Sequence, residues 1–321
     1  MSLPQRTLGN WKVSAMGLGC MPLSGLPTTK AYMLDDRAGA IKVIQTALDA
    51  GVTLLDTADI YATNWISFGH NERLVAEAFR TWSGSAEAKS KVVIATKGGI
   101  TRGPKETWGR AATSDYLLRA AEASALRLGV DKIQLWQHHR LDPSIAFETQ
   151  FENVLVLLER GLVERIGVSN YNPEQLRRAI KIGGTPAQGG LISVQNQYSV
   201  RYRNDAEIFS ICEENGIAFF PWSPLGGVRR ANELGGGEYS VFTSMAEKKG
   251  VSPYALAIAW HLHISPISIP IPGATKVESV TDSLVGLSIS LSAAEVEELN
   301  SHLPESGPVD GELLNQPPFR D

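Results

Sequence analysis

Between residues 52 and 292 the chain alternates short, nearly continuous apolar runs with longer stretches of helical periodicity. The apolar runs, rich in β-branched residues, fall at 52–58, 92–97, 133–139, 165–170, 192–198, 217–224 and 266–273, with a weaker one at 287–291. Runs that are apolar on both faces suit parallel strands covered by helices. Helix signals fill the gaps. Ile41, Ile44 and Leu48 share one face of a helix over 38–50, which Gly51 ends. Asn71 reads as the N-cap of NERLVAEAF. Asn172-Pro173 opens PEQLRRAIKI with proline at the first helical position, Gly183-Gly184 closes it, and Ser252-Pro253 opens YALAIAWHL in the same way. Eight strands alternating with helices, without a linker or a shift in composition, predict one domain over residues 1–321, an α/β fold of the (β/α)8 (TIM) barrel type. An open doubly wound sheet would need a glycine-rich turn after its first strand, and DIYATNW stands there instead. Ahead of the barrel, RTLGNWKVSAMGLG reads as an N-terminal β-hairpin capping the barrel bottom. A C-terminal helix over 293–303 and a Gly/Pro-rich tail follow the last strand.

Three of the apolar runs end on groups that carry chemistry. Asp56 lies in GVTLLDTADIY with Tyr61 just beyond it, Lys97 closes VVIATK, and His139 closes IQLWQHHR. In a barrel the strand ends converge on one face, so these residues become neighbours. Asp56 and Lys97 would end adjacent strands, and a buried lysine is costly unless paired, so a salt bridge between them is expected. Tyr61 could then reach Lys97, whose charge favours the phenolate and makes proton exchange with a carbonyl oxygen feasible. Side chains alternate along a strand, so Leu135, Gln137 and His139 share one face while Gln134, Trp136 and His138 share the other. This phase selects His139 for the site and leaves His138 to packing. Later strands end in Ser169-Asn170, carry Gln195, and finish with Trp222 in PWSPLGG. Amides and hydroxyls beside a flat indole suit a planar polar ring such as nicotinamide.

Composition narrows the picture further. With 30 basic and 34 acidic residues and a net charge of −4, nothing favours nucleic acid or an anionic membrane as partner. Two cysteines, Cys20 and Cys212, argue against a disulfide framework and suit a reducing compartment. The start MSLPQRTLGNWK has no signal-like apolar run, and the apolar stretch 254–271 is broken by His261, His263, Ser265 and Pro266. The expectation is a cytoplasmic protein, monomeric or weakly homo-oligomeric, with no metal site.

Over residues 6–303 the chain resembles the aldo-keto reductases. The motifs GVTLLDTADIY, GHNERLVAEAF, IATKGG, QLWQHHRLDP, GLVERIGVSNYNPEQL, SVQNQYS, PWSPLGG and IPIPGATKVESVTDSL carry the resemblance, in order along the chain. It implies a (β/α)8 barrel that binds NAD(P)H without a Rossmann fold and reversibly reduces an aldehyde or ketone to an alcohol. It implies a tetrad in which Tyr61 is the general acid/base, Lys97 lowers its pKa, Asp56 pairs with Lys97, and His139 positions the carbonyl. By the same resemblance Ser169, Asn170 and Gln195 hold the carboxamide and Trp222 stacks on the ring. Further cofactor contacts are implied at Gly19, Cys20, Met21, Asp56, Ser223, Pro224, Leu225, Gly226, Gly273, Ala274, Thr275, Lys276, Ser279, Asp282 and Ser283. Lys276 would hold a 2′-phosphate and Asp282 would lie near the adenine, so NADPH is favoured, with NADH the alternative. Basic Arg229-Arg230 point the same way, whereas Ser279 and Ser283 replace side chains that relatives more often carry.

Substrate selection is expected from the loops 21–34, 62–68 (with Trp65, Ile66 and Phe68), 98–110 (with Trp108), the loop after Trp222, and the tail with Phe319. The glycine-bearing 98–110 segment reads as a mobile loop, and aromatic walls favour a bulky carbonyl. Two other readings use the same residues. One is a low-turnover, cofactor-binding regulatory subunit of the same fold. The other is a Schiff-base lyase using Lys97, disfavoured because pairing with Asp56 would keep the amine protonated.

Overall fold

The computed structural model describes residues 3–24, 36–204, 206–227 and 231–306. Most of the 21–34 loop, Arg229-Arg230 and the tail with Phe319 lie outside the described residues. The strands are β1 (Gln5–Leu8), β2 (Trp11–Ser14), β3 (Leu18–Gly19), β4 (Leu54–Asp56), β5 (Val93–Gly98), β6 (Ile100–Gly103), β7 (Thr107–Arg110), β8 (Ile133–His138), β9 (Val163–Ser169), β10 (Leu191–Gln197) and β11 (Ala218–Trp222). The helices are α1 (Arg37–Asp49), α2 (His70–Thr81), α3 (Ala86–Ser90), α4 (Ser114–Leu128), α5 (Phe147–Glu159), α6 (Pro173–Gly183), α7 (Ala206–Asn215), α8 (Ser240–Lys249), α9 (Pro253–Ile264), α10 (Val277–Val285) and α11 (Ala293–Ser301).

Seven strands form one parallel sheet in the order β11-β10-β9-β8-β5-β4-β3. Residues 267–273 fill the eighth position. Ile269 and Ile271 donate to Phe219 and Pro221 on one edge, while Gly17 and Gly19 donate to Pro270 and Pro272 on the other. Bridges Phe219↔Ser268 and Gly19↔Gly273 close the ring. Leu54, Val93, Leu135, Ile192, Phe220 and Ile269 fill its interior. A larger apolar layer, with Trp136, Phe151 and Phe219 among its members, lies between the sheet and the helices. This is the expected (β/α)8 barrel.

The staves are counted differently from the sequence reading. The apolar run at 287–291 is not a strand. Residues Gly286–Ser288 make a single 3₁₀ turn, and Leu287 and Leu291 are buried in the outer apolar layer. The first stave is instead the two-residue β3, which the sequence reading absorbed into the hairpin. The hairpin itself is β1–β2, and its Leu8 and Val13 plug the barrel interior.

Of the three helix starts expected at Asn71, Asn172 and Ser252, the last two follow local chemistry. Asn172 forms a capping box with Gln175 ahead of Pro173, and Ser252 accepts from the Ala255 amide ahead of Pro253. Asn71 does not cap its helix. Gly69, left-handed at φ 76°, takes that place, and Asn71 lies inside α2. Its amide donates to the Cys20 carbonyl at 2.8 Å and to Ser24 at 2.7 Å, and it accepts from Thr57 at 2.6 Å. A buried amide with three partners outcompetes a cap. No helix among the described residues is long and apolar enough to cross a membrane. No group of three or more His, Cys, Asp or Glu among them could hold a metal ion.

Candidate active site

At the C-terminal end of the barrel, adjacent strands bring Asp56 (end of β4) and Lys97 (β5) together inside the ring. The Lys97 Nζ donates to Asp56 Oδ2 at 2.7 Å, to the Thr57 carbonyl at 2.9 Å and reaches the Tyr61 hydroxyl at 3.0 Å. All three ammonium hydrogens are thus directed. Lys97 is fully buried and Asp56 nearly so, so the pair is tolerated only because each charge has its partners. Asp56 Oδ1 takes two further amides, Gln195 at 2.8 Å and Gln137 at 3.3 Å. Gln137 shares the inward face with His139, as alternation along β8 requires.

His139 follows β8 and its ring meets the Tyr61 ring edge-on, centroids 5.8 Å apart. Its Nδ1 is buried without a partner, which leaves Nε2 to face the cavity. His138 points the other way and bonds to the Tyr171 hydroxyl at 2.8 Å. Burial, reinforced by the charges of Lys97, Arg140 and Arg110, holds His139 well below 6.5, so the ring is neutral. Burial alone drives His138 down to about 4. For Tyr61 two effects compete. Burial raises the phenol above its usual 10, and Lys97 pulls against it; burial prevails. The lowered phenol expected from Lys97 alone is therefore not what this environment produces. Lys97 is held above its usual range: burial works against the ammonium, but Asp56 and Tyr61 outweigh it.

Asp56, Tyr61 and His139 floor a cavity of about 530 Å³ that runs from them across the barrel mouth to the first turn of α10. Gly19, Met21, Asp56, Ser169, Asn170, Gln195, Trp222, Ser223, Pro224, Leu225, Gly273, Ala274, Thr275 and Ser279 line it. Cys20, Gly226, Lys276, Asp282 and Ser283 do not. Cys20 is buried, with its amide on the Asp56 carbonyl. Lys276 is exposed at the N-cap position of α10. Asp282 turns to the Ser252 hydroxyl at 2.7 Å, and Ser283 is buried. Asn170 and Ser223 hold left-handed backbone, φ 62° and 51°, immediately past β9 and β11; such strain in non-glycine residues concentrates at functional sites. The Asn170 amide bridges Ser169 Oγ at 2.8 Å and the His139 carbonyl at 3.2 Å, and its oxygen accepts from the Trp222 indole at 3.2 Å. Strand-end hydroxyl, carboxamide and indole are thereby locked into one wall.

Pro22, Ala62, Ile100 and Arg102, from the loops expected to select substrate, also line the cavity, together with Ile60, Arg140 and Asn232, which were not singled out as site residues. Arg140 carried a signal, its position directly after His139; burial and the neighbouring Arg110 bring its guanidinium down to about 10. The 98–110 segment is not a loose loop. It forms the antiparallel hairpin β6–β7, whose Trp108 lines the cavity beneath the Arg102 guanidinium, 4.7 Å from the ring centroid. Arg102 also donates to the Ala62 and Thr63 carbonyls at 2.6 and 2.9 Å, stapling the hairpin to the chain after Tyr61. Trp65, Ile66 and Phe68, expected as substrate walls, stand outside the cavity.

Residues 15–304 match the model of the Aldo/keto reductase family. A probable aldo-keto reductase 1 of Glycine max is 31% identical, over 95% of this chain and 90% of its own length. An uncharacterized oxidoreductase of Schizosaccharomyces pombe is 29% identical, over 94% and 89%. Among solved structures, the thermostable aldo-keto reductase Tm1743 in complex with the inhibitor epalrestat superposes with a TM-score of 0.76 at 26% identity, covering 94% of this chain and 100% of that one. An aldo-keto reductase from Klebsiella pneumoniae in complex with NADPH gives a TM-score of 0.74 at 23% identity, covering 95% and 96%.

Proposed function

This chain belongs to the aldo/keto reductase family, and from that premise we propose that it is an NADPH-dependent oxidoreductase that reversibly reduces an aldehyde or ketone to an alcohol, with Tyr61 as proton donor. The observation that carries the reading is the single ammonium of Lys97 bound at once to Asp56 and to the Tyr61 hydroxyl on the floor of a cavity that His139 also faces. A protonated phenol, kept so by burial, is the form that can give a proton to a carbonyl oxygen as charge develops there.

The cavity residues fit a nicotinamide dinucleotide. Trp222 offers a flat face beside the Asn170 carboxamide. Gly19 and Gly273 leave the backbone bare where a Cβ would come within 2.7 Å of the Ile271 carbonyl or 2.6 Å of Pro22. Thr275 and Ser279 line the cavity at the start of α10, whose free amides and positive dipole end suit phosphate. The cofactor, when bound there, supplies a hydride. Everything else falls to the protein. A neutral His139 with its proton on Nε2 donates to the substrate oxygen and aims the carbonyl at Tyr61. Tyr61 passes its proton to that oxygen, and Lys97 stabilises the phenolate left behind. Lys97 is too well satisfied by three acceptors to serve as an amine nucleophile, which works against Schiff-base chemistry. The NADPH held by the Klebsiella neighbour and the exposed Lys276 beside the α10 start support the phosphorylated cofactor.

The test is a panel of aldehydes and ketones assayed with NADPH and with NADH, following cofactor oxidation. Turnover of carbonyls with tighter binding of NADPH is expected. Tight cofactor binding without turnover of any carbonyl would remove the enzyme reading in favour of a cofactor-binding subunit. Equal or tighter binding of NADH would remove the cofactor assignment alone.

A further inference from the structure

Helix α9 is buried on nearly every side, from Ala255 through His261. Among these apolar neighbours one imidazole is conspicuous. His261 is fully buried, packed edge-on against Trp260 (4.9 Å between centroids) and Tyr198 (6.1 Å). Its Nε2 lies 3.0 Å from the Pro224 carbonyl, and its Nδ1 has no partner. A carbonyl can only accept, so Nε2 carries the proton and the bare nitrogen is Nδ1. Burial brings the ring down to about 4, which agrees with a neutral donor.

Pro224 belongs to the turn that follows β11 and forms one lip of the cavity. The turn opens on strained backbone, with Ser223 left-handed at φ 51°, and continues through Gly226 at φ 91°, which glycine adopts freely. Among the described residues it is held internally by one backbone hydrogen bond, from the Gly226 amide to the Ser223 carbonyl at 2.9 Å. A strained turn needs an outside hold to keep its shape, and His261 supplies one from a buried helix. The same helix reaches the opposite lip: Ser252, its N-cap, bonds to Asp282 of α10, the helix whose first turn puts Ser279 on the cavity.

We infer that His261 is a positioning residue, which by donating from Nε2 to the Pro224 carbonyl holds the 223–227 turn in the shape that cofactor binding requires. The inference rests on the cofactor reading given above, and it concerns a residue that touches neither cofactor nor substrate.

His261→Phe keeps the ring volume and removes the donor; His261→Gln keeps a donor at similar reach. In ligand-free protein, His261→Phe should speed amide exchange at residues 225–227 about tenfold, the scale of one lost hydrogen bond, while the thermal midpoints of the two variants stay alike. The dissociation constant and KM for NADPH should rise by a similar factor with kcat nearly unchanged, and His261→Gln should restore both to within about threefold. Unchanged exchange in the Phe variant, or a Gln variant as loose as the Phe variant, overturns the proposal, the latter by showing that packing alone matters. Faster exchange in a protein whose wild type ignores NADPH would overturn instead the cofactor reading, and with it the role assigned to the turn.

Discussion

The Tyr61 hydroxyl stands where two opposed influences meet, and the balance between them sets what the site can do. Burial keeps the phenol protonated above its usual range, and Lys97 limits that rise. Tyr61→Phe deletes only the hydroxyl, so carbonyl reduction should fall about 10²–10⁴-fold, with the NADPH dissociation constant, read by quenching of protein fluorescence, close to wild type. Retained turnover would show that another group gives the proton. The pH dependence follows from two signs. On the proposed mechanism, reduction needs Tyr61 protonated, and its pKa lies above 10, so rates should hold through neutral pH and decline only at strongly alkaline pH. The same proposal needs neutral His139, whose pKa lies well below 6.5, so the acid limb should fall beneath that value. Alcohol oxidation needs the phenolate and should gain as pH rises; kcat/KM profiles in the two directions check both limbs. At this scale much was legible in the sequence. Apolar runs ending in Asp56, Lys97 and His139 showed which polar groups would gather, and alternation along β8 separated His139 from His138. The outcome of the contest at Tyr61 was not legible, because burial depends on the assembled barrel and not on any neighbour along the chain.

Among the elements, the hairpin β6–β7 changes the picture most. Its glycines suggested mobility, yet cross-strand pairing from Ile100–Arg110 to Gly103–Thr107 orders it, and Arg102 ties it across to the chain after Tyr61. That tie joins residues some forty positions apart, which no local pattern announces. Removing it with Arg102→Ala strips buried charge-assisted hydrogen bonds. The KM for bulky carbonyls should then rise at least about tenfold, with NADPH affinity preserved and proteolysis appearing within residues 100–110. An unaltered KM would mean that the hairpin holds its place without the arginine. Helix starts carried by Pro, Ser and Asn were legible where the side-chain oxygen accepts from its own helix, as at Asn172 and Ser252. Asn71 was misleading for the opposite reason, its amide being claimed by Cys20, Ser24 and Thr57 from other parts of the fold.

For the molecule as a whole, the alternation of strand and helix was enough to predict the barrel, but not to count its staves. A two-residue strand such as β3 has no periodicity to detect, and the 287–291 run is as apolar as a strand while packing as irregular chain. Closure depends on that short stave. A Cβ on Gly19 would stand 2.7 Å from the Ile271 carbonyl, backbone against backbone, so Gly19→Ala should lower stability by about 1–3 kcal/mol in denaturant titration; an unchanged midpoint would show that the seam yields freely. The seam is also one border of the cavity, since Gly19 lies on one side and Gly273 on the other. A ligand that grips both sides therefore acts as a clasp on the least stitched joint of the ring, and its binding energy becomes folding energy by thermodynamic linkage. At a hundredfold excess over its dissociation constant, NADPH should add about 2.7 kcal/mol to unfolding. The protection should be uneven: amide exchange at residues 17–19 and 269–273 should slow more than in β8 and β9 on the far wall.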